Sequence, residues 1–114
     1  MADPVAYKIL TAAEMAELEE GRFKGAAVDK ADGYIHLSTA DQVTETADKH
    51  FAGRGDLHIA AVDLDALGDA IHWEASRGGA LFPHLYGQLT LDVVVAYSPL
   101  EREPNGKVRL PVTG

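Results

Sequence analysis

The stretch Asp32-Gly33-Tyr34-Ile35-His36-Leu37-Ser38-Thr39 decides how this chain is read. Asp32-Gly33 is a turn pair, because glycine takes positive φ without steric cost. The residues after it alternate. Ile35 and Leu37 fall on one face and Tyr34, His36 and Ser38 on the other, since strand side chains have a period of 2. The apolar face suits a core. The polar face lines up a phenol, an imidazole and a hydroxyl, with Ser38 or Thr39 placed to cap a following helix. A second polar cluster, Phe82-Pro83-His84-Leu85-Tyr86-Gly87, lies far along the chain. The expectation is that the two stretches meet in one pocket.

Working outward, Val5–Leu10 reads as an interior strand with Val5, Tyr7 and Ile9 on one side. Thr11-Ala12-Ala13-Glu14 matches a capping box, in which hydroxyl and carboxylate satisfy each other's free backbone N–H groups. The helix it starts runs to about Glu20 and stops at Gly21. Arg22–Ala31 has no clear period and reads as a loop or short irregular strand, with Phe23 anchored inward. A second helix is expected from about Ala40 to Phe51, with Val43, Ala47 and Phe51 inward. Leu57–Leu64 is apolar on both faces and reads as a central strand. Asp65–Asp69 is a turn or one helical turn. Ile71–Ser76 alternates again, Arg77-Gly78-Gly79 is flexible by composition, and Gln88–Tyr97 reads as a long β-branched strand. Pro104-Asn105-Gly106 marks a terminal hairpin. Strands and helices do not alternate regularly, which argues for an α+β fold over a doubly wound parallel sheet.

The totals bound the function. The chain has 114 residues, the size of a single domain over 1–114 with an ordinary core. It has no cysteine, so no disulfide, thiolate zinc site or cysteine nucleophile. That composition fits a cytoplasmic location. Met1-Ala2-Asp3-Pro4 does not read as a signal peptide, and no apolar run approaches membrane-spanning length. With 18 acidic and 10 basic residues the net charge is −8. A field of that sign opposes non-specific binding to nucleic acid but leaves room for a nucleotide in a local pocket.

The chemistry rests on few groups. His36 can bind a ribose hydroxyl, relay a proton or ligate a metal, or simply sit half-buried against backbone. Glu74 follows Trp73, and a carboxylate beside an aromatic can be pushed up to act as acid or base; the plain alternative is a solvent-facing glutamate paired with Arg77. His84 and Tyr86 share a face if Phe82–Gly87 is extended, as Pro83 favours. Tyrosine can then stack on a planar ring while histidine holds a polar edge; the alternative is an aromatic-rich turn under the sheet. The five histidines form no pair at metal-ligand spacing, so no metal is expected. There is no P-loop, G-x-G-x-x-G, HExxH or G-x-S-x-G motif.

Three motifs, Asp32–Thr39 with Gln42, Trp73-Glu74 and Phe82–Gly87, resemble in order and spacing the DUF952 family of small bacterial proteins over nearly the whole chain. The resemblance implies a fold like that of ADP-ribosyltransferases and tRNA 2′-phosphotransferases: a split β-sheet with a nicotinamide-nucleotide cleft and, here, two short helices in the N-terminal half. It implies NAD or a related nucleotide as ligand, held by Tyr34, His36, Ser38 and Thr39, with Tyr86 stacking on the ring. Glu74 or His84 would stabilise oxocarbenium charge or move a proton. Two other functions fit the same residues, namely a non-catalytic ligand sensor and a small hydrolase with a histidine base.

Overall fold

Leu57–Asp63 forms β3, the middle strand of the first of two sheets in a computed structural model that describes residues 4–75 and 79–112. β1 (Val5–Thr11) and β6 (Val94–Pro99) flank it, both antiparallel. Burial on both faces explains why β3 is apolar from Ile59 to Val62. Ala60 and Val62 join Ala6, Leu10, Met15, Leu18 and Phe23 in one core cluster. Leu57, Ile59 and Ala61 join Tyr7, Ile9, Val43, Ala47 and Val108 in the other.

The second sheet has the order β2-β5-β4, from Ile35–His36, Leu81–Leu85 and Ile71–Ala75. All its pairings are antiparallel. Pro83 lies inside the central strand β5, where it costs the sheet one donor; its carbonyl still accepts from the Leu37 N–H at 3.1 Å. Just past β2, Ser38 and Tyr7 exchange backbone hydrogen bonds of 2.7 and 2.9 Å, so the two sheets meet there.

Helix α1 (Ala12–Glu19) begins with both halves of the capping box: the Glu14 N–H donates to the Thr11 hydroxyl and the Thr11 N–H to the Glu14 carboxylate. Helix α2 (Ala27–Asp32) corrects the expected loop over Arg22–Ala31, although Phe23 is fully buried as expected. Asp29 supplies the reason, since its carboxylate accepts from the Ala26 N–H at the helix start. Gly33 closes α2 at φ 87°. The strand expected over Asp32–Ser38 therefore shrinks to two residues, yet its alternation survives, with Ile35 and Leu37 buried.

Helix α3 (Val43–His50) starts three residues later than expected: Gln42 bonds the Thr39 N–H, but the intervening residues form turns. The N-terminal half thus holds three helices, and a fourth, α4 (Leu64–Leu67), follows β3. Of the long strand expected over Gln88–Tyr97 only the part from Val94 on is strand, and it continues to Pro99; Leu91–Val93 is a 3-10 turn, and Leu89 is buried instead of alternating. The terminal turn at Gly106 is present, with Glu103 and Lys107 hydrogen-bonded across it. Val108 docks this segment on α3 through Thr44. No helix among the described residues is long and apolar enough to cross a membrane.

Candidate functional site

The register of the second sheet builds the site. His36 pairs with His84 and His84 with His72, so three histidines form one row across β2, β5 and β4. Two residues along, Tyr34 and Tyr86 flank that row on the same face. The Tyr34 ring stacks on His84 at 4.1 Å and lies 5.2 Å from Tyr86. His36 meets His84 edge-on at 5.4 Å. The two distant polar stretches converge, as the sequence suggested, because period-2 alternation keeps these side chains off the core face.

Each histidine in contact with Tyr34 is held by carboxylate. His84 is 3% exposed, and its Nδ1 lies 2.7 Å from Glu74. The Tyr86 hydroxyl donates to the same Glu74 oxygen at 2.7 Å. These hydrogen bonds, His84 first, hold Glu74 below the usual carboxylate range. The expectation of a carboxyl raised by Trp73 is overturned: Trp73 points to the opposite face. Glu74 in turn pushes Tyr86 up to about 12. Burial, then the charges of Asp32 and Glu74, raises Tyr34 as well. The alternative pairing of Glu74 with Arg77, and the expectations for Ser76 through Gly78, lie outside the described residues.

His36 sits between two carboxylates, with Nδ1 2.7 Å from Asp29 and Nε2 2.9 Å from Asp32. Asp29 is buried and also receives the His36 N–H, the Ala26 N–H and the Lys8 ammonium. Burial alone would raise its carboxyl; the His36 and Lys8 hydrogen bonds and the Lys8 charge overcome that and hold it far below the ordinary value. Lys8, Asp29, Asp32 and His72 escaped the sequence reading. A lysine alone within an apolar strand was the available signal for Lys8.

Beside this face runs a groove of about 540 Å³, open to solvent and bounded by β1, β2, β5 and α3. Asp32, Tyr34, His36, Ser38 and His84 line it; Lys49 and Arg54 also contribute to its wall. Thr39, Glu74 and Tyr86 are not in its lining. Ser38 is buried, and its hydroxyl pairs with that of Thr46 at 3.1 Å. Although three histidines share a row, no group of three or more His, Asp or Glu among the described residues is arranged to hold a metal ion.

The fold and site define a small α+β protein with two antiparallel sheets and a groove walled by carboxylate-held histidines. The chain belongs to the DUF952 family, whose model, described as a protein of unknown function, matches residues 9–97. It is similar to protein CC0527 from Caulobacter crescentus, solved as a crystal structure, with 47% identity, coverage of 93% of this chain and 94% of that chain, and a TM-score of 0.83. A double mutant of that protein, also crystallised, is 45% identical with the same coverage and TM-score. The solution NMR structure of CC0527 is 47% identical, covers 93% and 91% of the two chains, and gives a TM-score of 0.78. No curated protein matches the chain.

Proposed function

We propose that the groove binds a nicotinamide nucleotide such as NAD, in a split-sheet fold of the ADP-ribosyltransferase type. The observation that carries this reading is the convergence of Tyr34, His36 and His84 at the wall of a groove that runs beside the junction of two antiparallel sheets. Tyr34 offers an aromatic edge to the ring, with Tyr86 behind it. His36 has both nitrogens engaged, so its part is to hold Asp32 in place. The second oxygen of Asp32 then accepts ribose hydroxyls, as acidic residues do in other nucleotide sites. Lys49 and Arg54 meet the phosphates. In this reading Ser38 shapes the groove floor, and Thr39 orders the entry to α3.

The same engagement of His36 favours a second reading, a sensor that holds its ligand without turnover, because a ring bonded on both sides has no nitrogen to offer a reacting atom.

Thermal-shift titration with NAD, ADP-ribose, nicotinamide and common nucleotides tests the binding shared by both. A ligand at 100 times its dissociation constant stabilises by about 2.7 kcal/mol. In a domain of this size the shift is on the order of 10 °C. Arg54→Ala, at an exposed position, should reduce the shift with NAD and ADP-ribose but not with nicotinamide. No shift with any nucleotide would end the reading.

A further inference from the structure

The Nε2 atom of His84 has no hydrogen-bond partner among the described residues. It is not sealed either: the buried side-chain polar atom left without a partner is His58 Nδ1. His84 lines the groove, and Nε2 is the ring nitrogen that is not engaged by Glu74. The other nitrogen faces Glu74, which is not in the groove lining. Because Glu74 is a carboxylate with Tyr86 already donating to it, Nδ1 must donate. A neutral His84 ring so held carries its proton on Nδ1 and leaves Nε2 a bare acceptor. Tyr34 covers one ring face at 4.1 Å, and the lone pair of Nε2 lies in the ring plane, so a proton donor approaches along the ring edge.

We propose that His84 is a general base for water and that the reaction is hydrolysis of an N-glycosidic bond, not transfer to a macromolecule. This rests on the reading that the groove holds a nicotinamide nucleotide. The water oxygen bonds to the anomeric carbon of the nicotinamide ribose. The carbon–nitrogen bond breaks, its electron pair leaves with nicotinamide, and nicotinamide departs neutral. The water proton passes to His84 Nε2 and from there to solvent. No oxidant or further reactant is needed. The acceptor is water because the base is 3% exposed and lies under Tyr34. A base this deeply set favours a small acceptor such as water over a side chain carried by another protein. Glu74 is a positioning residue that sets the tautomer, in the way a carboxylate orients a catalytic imidazole elsewhere.

The test incubates the full chain with NAD and separates the products by chromatography, while ADP-ribose binding is measured by calorimetry. Nicotinamide and ADP-ribose should form in equal amounts. His84→Gln should slow their release by about 100-fold or more, the usual weight of a general base. Glu74→Gln should slow it less and alter the pH profile of the rate, which a merely structural role would not do. Binding of ADP-ribose without nicotinamide release overturns the hydrolysis and leaves the groove reading standing; absence of both overturns both. A retained rate in folded His84→Gln overturns the role of His84. Independent of any ligand, a long-range ¹H–¹⁵N spectrum should show the neutral His84 ring protonated on Nδ1, and a proton found on Nε2 refutes the proposal.

Discussion

The Lys8 ammonium lies 2.9 Å from the Asp29 carboxylate, with both side chains almost fully buried. Lys8 belongs to the first sheet, and Asp29, on α2, holds the His36 of the second. This ion pair ties the candidate site to the core. Removing one member of a buried pair strands the other charge and costs about 3–5 kcal/mol. Asp29→Ala should therefore lose stability of that order in urea unfolding. Lys8→Met should cost less, because Asp29 keeps its donors from Ala26 and His36. The double variant should be non-additive, and additive losses would show that the two residues act separately.

Asp29 also sets the acid limb of stability. Its folded value lies below its unfolded value, so its contribution is complete above the unfolded carboxyl range near 4 and is lost as pH falls toward the folded value. Between pH 4 and pH 2 the wild type should lose stability more steeply than Asp29→Asn. Equal slopes in denaturant titrations across that window would remove Asp29 from the account.

At the alkaline end Tyr86 is the reporter. Its hydroxyl is raised to about 12 by Glu74, so the contribution of this bond persists below the unfolded value near 10 and is lost as pH rises toward 12. Ultraviolet titration of the phenolates should find a late tyrosine that disappears in Tyr86→Phe, while Tyr34 and Tyr97, which are raised as well, remain. In Glu74→Gln the Tyr86 titration should move toward lower pH, and a Tyr86 titration unchanged by that substitution would contradict the bond.

Gly33 closes α2 at φ 87°, with open space where a Cβ would stand. Backbone strain is then the whole penalty for Gly33→Ala, about 1–2 kcal/mol. Calorimetric unfolding checks this; an unchanged Tm would mean that the turn relaxes.

Local features were legible in the sequence. The Thr11–Glu14 capping box, the Gly33 turn and the alternation of Tyr34, His36 and Ser38 each depend on residues within a few positions of one another. Helix α2 was not legible, because six residues are too few to show a period. Its key residue, Asp29, takes a partner 21 positions away. The environment of Glu74 is not legible from its sequence neighbour Trp73. On a strand adjacent residues face opposite ways, and its partners proved to be His84 and Tyr86.

By itself the sequence determined the strand faces, the α+β class and the family, since side-chain periodicity and motif spacing are properties of the chain as written. Tertiary structure alone decided that His36, His84 and His72 stand in one row, and that Asp29 and Glu74 clamp two of them. Those contacts depend on the register between strands far apart in the chain. Register is set by burying Ile35, Leu37 and Leu85 together, and a slip of one residue would turn every histidine into the core.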